Sequence, residues 1–122
     1  MTAPSRSVVH RLADLLRRHR IDLTDEKRAQ ADMERVFAAA GYEVAREHRL
    51  SGADIVDFMV NGGTAVEVKI GGSRMAIYRQ LERYAAHDAV TDLLLVSNVP
   101  ITLPKTINGK PAVVAQLGAA WI

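Results

Sequence analysis

The sequence predicts an α/β fold: a mixed central sheet of four to five strands flanked by helices, with an additional basic helix at the N-terminus. Three patterns lead there. Two stretches near the start repeat apolar residues at helical spacing. Two short apolar runs are joined by Asn61-Gly62-Gly63, the chemistry of a tight hairpin turn. A continuous apolar run, Leu93-Leu94-Leu95-Val96, follows a further helical stretch, as a buried strand reached by a helical crossover would.

In chain order, a first helix is expected from about Pro4 to Arg20, with Val8, Leu12, Leu15 and Leu16 turned inward. A second starts at Thr24 as N-cap, with Asp25 and Glu26 favouring its first turn. Its apolar stripe is Ala29, Met33, Val36, Phe37 and Ala40, and Gly41 closes it. Three strands follow near 42–50, 54–60 and 64–70. Gly71-Gly72-Ser73 breaks the pattern before a helix from Arg74 to about His87, whose inward face is Ile77, Leu81, Tyr84 and Ala85. Residues 92–98 read as a strand, 100–110 as a loop and 112–117 as a last strand. Neither a repeat nor a low-complexity stretch interrupts the chain. It reads as one domain over 1–122, with 1–22 a helical extension and 24–98 the core.

Charges inside the two hairpin runs are the informative feature. An unpaired charge is costly to desolvate, yet Asp57 lies within Asp54–Val60, and Glu67 and Lys69 lie within Thr64–Ile70. A turn centred on Gly62 sets Asp57 directly across from Glu67, whereas a turn closed by two residues would set it opposite Val66. Opposed carboxylates need a proton or a cation between them, and a divalent metal is the simplest candidate. By strand alternation Glu67 and Lys69 share one face, and Val66, Val68 and Ile70 take the core side. Ile55 and Met59 share the face of Asp57. An ammonium two residues beyond a metal-binding carboxylate can orient a water or stabilise charge on a phosphate oxygen.

These elements resemble the PD-(D/E)XK nuclease superfamily, the restriction-endonuclease-like fold. The matching residues are Val56-Asp57, then Glu67-Val68-Lys69, then Gln80 and Tyr84, similar to the Gln-x-x-x-Tyr motif of some exonuclease branches. The likeness spans about residues 24 to 98, and Val56 stands where the motif carries proline. It implies that Asp57 and Glu67 are metal ligands, that the Val68 backbone carbonyl is a further ligand, and that Lys69 is the catalytic lysine. It also implies an acidic residue from the second helix. Glu26, Gln30 and Glu34 share a polar face there, with Glu26 the first choice. Glu47 is a further candidate, or simply pairs with an arginine.

Composition is that of an ordinary soluble globular chain, 48% hydrophobic and 25% charged over 122 residues. Lacking cysteine, it has no disulfide, thiolate metal site or thiol nucleophile. His10, His19, His48 and His87 form no ligand set, and none reads as a general base. With no membrane-length apolar run and no signal-peptide pattern, a cytoplasmic protein is expected. The net charge of +2 is uneven: Arg6, Arg11, Arg17, Arg18 and Arg20 face Asp14 alone in the first twenty residues, +4 there and about −2 elsewhere. Such a segment could touch a phosphate backbone, or it is a solvated amphipathic face.

Gln80 and Tyr84, four apart, could hydrogen-bond a phosphate or the attacking water, or serve as boundary and core residues. Arg79 and Arg83 form a parallel stripe that could grip backbone phosphates, or Arg79 pairs with Glu82. Gly71-Gly72 offers a backbone anion nest or a bend, and Trp121 a packing or interface residue. Taken together, the expectation is a Mg²⁺-dependent deoxyribonuclease, with Mn²⁺ able to substitute. A structure-dependent or non-specific endonuclease is expected, catalysed by Asp57, Glu67, Lys69 and Gln80. Glu67, Asp57, Val68 and Glu26 would hold the metal, and Arg79, Arg83, Tyr84, Arg17 and Arg18 would contact DNA. A homodimer and a targeting partner protein are compatible with it. The alternative is a nucleic-acid-binding or assembly module whose nuclease-like site is unused.

Overall fold

The structure is a computed structural model that describes residues 7–118. Pro4, Arg6 and Trp121 lie outside the described residues. Three helices, α1 (Val8–Arg17), α2 (Glu26–Ala39) and α3 (Arg74–Ala85), flank a six-stranded mixed sheet. Its strands are β1 (Val44–Arg49), β2 (Ile55–Val60), β3 (Thr64–Lys69), β4 (Asp92–Ser97), β5 (Thr106–Ile107) and β6 (Lys110–Gln116), in the spatial order β1-β2-β3-β4-β6-β5. The first three form an antiparallel meander, β3-β4-β6 are parallel, and β5 closes back antiparallel on β6. The sheet has one strand more than the four to five expected. The addition is β5, two residues inside the segment expected to be a loop, too short to leave a period-2 signature.

Helices α1 and α2 cover one face. Val9, Leu12, Ala13 and Leu16 of α1 recur at i, i+3, i+4 and i+7, and all are fully buried. Val8 and Leu15, expected inside, are only partly buried at the margins of that stripe. Ala29, Met33 and Phe37 of α2 join them above Phe58, Val60, Val66, Val68, Leu94, Val96 and Ala115. The hydrophobic core therefore extends past residues 24–98 at both ends. Asp25, not Thr24, caps α2, because its carboxylate reaches the Arg28 N–H at 2.8 Å. Helix α3 covers the other face with Ile77, Leu81, Tyr84 and Ala85, packed on Met59, Ala65, Leu93, Leu95 and Ala112. Among the described residues, no helix is long and apolar enough to cross a membrane.

The hairpin turn is anchored on both sides. Asn61 (φ 50°) and Gly62 (φ 74°) take the left-handed conformation, and the Gly63 N–H donates to the Val60 carbonyl at 3.2 Å. The Asn61 N–H donates to the Glu43 carbonyl and its side-chain oxygen accepts from the Glu43 N–H. Gly63 lies against β4: its carbonyl accepts from the Thr91 N–H at 2.8 Å, and an added Cβ would fall 2.7 Å from Thr91 Oγ1. A side chain at 63 would crowd Thr91, so glycine lets the turn lie close to the segment that enters β4.

Candidate active site at the interrupted hairpin

The β2–β3 ladder pairs Val60 with Thr64, Met59 with Ala65 and Phe58 with Val66, then stops. Continued by one step, this register puts Asp57 opposite Glu67, as the turn centred on Gly62 requires. On the other side, β1 pairs Arg46 with Phe58 and His48 with Val56 but skips Glu47 and Asp57. Glu47 sits at φ 49°, a left-handed conformation in mid-strand. Asp57 is thus bypassed by both neighbouring strands. The alternation of faces also breaks there: Phe58 packs under α1 and α2, whereas Val56, two residues earlier, packs under α3. This corrects the expectation that Asp57 shares one regular face with Ile55 and Met59. Met59 is buried beneath α3, but Ile55 is 42% exposed.

The two carboxylates do what the missing ladder cannot. The Val68 N–H donates to Asp57 Oδ2 at 2.8 Å, and the Asp57 N–H donates to Glu67 Oε1 at 3.1 Å. Each acidic side chain therefore satisfies a peptide group of the opposite strand. Tyr84, from α3, donates its hydroxyl to Glu67 Oε2 at 3.3 Å and to the Ile55 carbonyl at 3.0 Å. Lys69 Nζ stands 3.5 Å from Glu67 Oε2. The end of β3 is held from β4, where the Ser97 hydroxyl donates to the Lys69 carbonyl at 2.7 Å.

Glu67, only 3% exposed, has its pKa pushed up to about 7, first by burial and then by the negative charge of Asp57. Asp57 is also raised, by burial and then by the charge of Glu26. The pair shares a site too dry and too negative for both to ionise without a counter-charge. The buried Tyr84 phenol holds its proton well above the ordinary tyrosine range, because burial and the Glu67 charge both oppose phenolate. It remains a donor.

Of the three acidic or amide candidates on α2, Glu26 reaches this region, its Oε1 accepting from the Ile70 N–H at 3.3 Å. Gln30 accepts from Arg46 at 2.9 Å and Glu34 pairs with Arg46 at 3.6 Å, so both serve β1 instead. Glu47 pairs with Lys27 at the surface. Gln80 lines a cleft of about 370 Å³ with Lys69, Gly71, Gly72, Ser73 and Arg83. The Gly71 N–H is taken by Asn98 Oδ1, which leaves less of an anion nest than a free glycine pair would. Tyr84 was expected to contact DNA; it is 1% exposed, so its place is behind Glu67. Arg79 is exposed on α3. Arg17 bonds Asp14 and the Val114 carbonyl, and Arg18 is exposed; both belong to the α1 side of the sheet, away from Arg79 and Arg83.

One cluster escaped the sequence reading. Asp54, buried beside β2, accepts from His87 Nε2 at 2.9 Å and from Arg83 Nε at 3.3 Å. The His87 hydrogen bond, more than any other contact, holds the Asp54 carboxyl below the usual range. The available signal was the i, i+4 spacing of Arg83 and His87, which points two donors the same way. This cluster fastens the end of α3 to the start of β2 and so keeps Tyr84 over Glu67.

Among the described residues, no three His, Asp or Glu side chains gather as a ready-made metal cage. No family model, curated protein or solved structure matches the chain.

Proposed function

We propose that this protein is a metal-dependent DNA nuclease that hydrolyses phosphodiester bonds, acting as a structure-dependent or non-specific endonuclease. The observation that carries this reading is the pair Asp57 and Glu67, bridged across a gap in the sheet with Lys69 at 3.5 Å from Glu67. A restriction-endonuclease-like arrangement agrees with the order of these residues. Beyond the peptide hydrogen bonds they accept, opposed carboxylates whose pKa values are raised by burial are the kind of group that concentrates at functional sites.

The donors fit a hard divalent cation, since all are oxygens: the carboxylates of Asp57 and Glu67 and the Val68 carbonyl, with Glu26 behind them as a third negative charge. The Val68 N–H points to Asp57, and in an extended strand the carbonyl of the same residue points to the same side. Mg²⁺, or Mn²⁺ in its place, would act as a Lewis acid on the phosphate and lower the pKa of a nearby water. Lys69 orients that water or balances negative charge growing on the phosphate oxygens. Tyr84 fixes the Glu67 carboxylate, and Gln80, in the same cleft as Lys69, hydrogen-bonds water or phosphate.

A second reading, a nucleic-acid-binding or assembly module with an unused site, draws support from one observation. The carboxylates already bond peptide N–H groups, and among the described residues no third ligating side chain joins them. Incubation with supercoiled plasmid, linear duplex, single-stranded and branched DNA, under Mg²⁺, Mn²⁺ or EDTA, separates the two. The nuclease reading expects metal-dependent cutting that Lys69→Ala abolishes. Intact DNA on every substrate, with folded protein, favours the module.

A further inference from the structure

The cleft beside Lys69 does not end at α3. It shares Gly72 and Ser73 with a second cleft walled by Arg74, Met75, Val99 and Pro100. That cleft in turn shares Arg74, Met75 and Pro100 with a third, lined by Tyr78, Ile101, Leu103 and Pro104. One groove thus runs from Lys69 around the start of α3 into an apolar trough. Its character changes along the way. Lys69, Arg83 and Arg74 stand along the near part, and no acidic residue lines any of the three clefts. At the far part Met75 is 59% exposed, more than Ile55, the other exposed large hydrophobic among the described residues, and it stands beside a half-buried Tyr78. The Arg74 guanidinium donates to the Pro100 carbonyl at 3.5 Å, tying the loop wall to the helix wall.

We propose that this groove is the track of one unpaired DNA strand, with phosphates at the cationic end and a base lodged against Tyr78 and Met75. The inference rests on the nuclease reading and adds its substrate class. A duplex exterior presents phosphate and sugar, with the base faces stacked out of reach, so it has nothing to place in an apolar trough. An unpaired strand offers both parts: charge for Lys69 and Arg74, and a flat apolar face for an aromatic ring. Glu67 and Asp54 stand behind Lys69 and Arg83, but no carboxylate lines the clefts themselves. The strand chosen is therefore a flap, overhang or single-stranded region.

Fluorescence anisotropy with the full chain in EDTA tests this apart from cleavage, using a labelled thymidine oligonucleotide and a blunt duplex of the same length. The single strand should bind at least about tenfold more tightly than the duplex. Met75→Glu, at an exposed position that leaves folding intact, and Tyr78→Ala should each weaken single-strand binding about tenfold, the scale of one lost stack. Tyr78→Phe should retain it. Equal affinity for the two DNAs, or single-strand affinity indifferent to Met75→Glu, overturns the proposal. Strand preference without metal-dependent cutting would sink the nuclease reading alone. Cutting without strand preference would sink the groove alone.

Discussion

In one half of the sheet, β3 pairs with β4 without interruption from Thr64 to Lys69, and β4 with β6 from Leu93 to Ser97. In the other half β2 loses both neighbours at Asp57. Strand β4, at the centre of the regular half, is buried along its whole length, and its one charged residue, Asp92, stands at its start. The interrupted half turns charged side chains into the gap and uses them in place of ladder hydrogen bonds. The contrast indicates where stability and chemistry reside. Parallel pairing over an apolar strand supplies a rigid frame, and the break beside it gathers buried carboxylates that the frame holds in place.

The largest effect that would break this contrast is in the frame. Leu94 is fully buried, and Leu94→Ala should cost about 2–5 kcal/mol in urea unfolding. Asp57→Asn, which keeps an acceptor for the Val68 N–H but removes a charge, should leave stability equal or higher. Equal losses at the two positions would erase the distinction.

Next comes pH. Folded Glu67 holds its proton up to about pH 7, against 4.5 for the unfolded chain, so the native state binds more protons between those values. Without divalent cations, stability should therefore fall as pH rises through that window and level off above it. Asp57 contributes in the same direction. Melting temperatures across the window should show this slope, and Glu67→Gln should flatten it. A slope of opposite sign would mean that Lys69 dominates the pair.

Tyr84→Phe removes a donor from Glu67 and from the Ile55 carbonyl, and should destabilise by about 1–2 kcal/mol in the same unfolding assay. The smallest effect is expected at Glu47, whose φ of 49° glycine adopts without Cβ strain. Glu47→Gly should gain at most about 1 kcal/mol, because the lost ion pair to Lys27 is exposed. A large loss in thermal unfolding would show that the side chain matters to the break.

Much of this was legible in the sequence for local reasons. Asn61-Gly62-Gly63 specifies its turn through the left-handed backbone that Asn and Gly tolerate, and the turn then sets which residues face each other. The inward face of α3 followed from helical period alone, and all four expected residues are buried. What was hidden is non-local. Period-2 reasoning assumes unbroken pleating, so it cannot see that Asp57 and Glu47 leave the ladder together. The choice of Glu26 over Gln30 and Glu34 turns on Arg46, a β1 residue that occupies the other two. Asp54 and His87 lie thirty-three positions apart and meet only after α3 has packed. The burial of Tyr84 was foreseen in the helix stripe, but not that its hydroxyl would be spent on Glu67.

The central claim is that the gap at Asp57 and Glu67 takes a divalent cation, and calorimetric titration tests it most directly. Mn²⁺ and Mg²⁺ would be titrated into wild type, Asp57→Asn and Glu67→Gln, at about pH 8 and again near pH 6. The account predicts saturable binding by wild type, lost in both variants, and more proton release on binding at the lower pH, where Glu67 more fully carries its proton. Absence of binding by folded wild-type protein at millimolar metal, or binding unchanged in both variants, would contradict it.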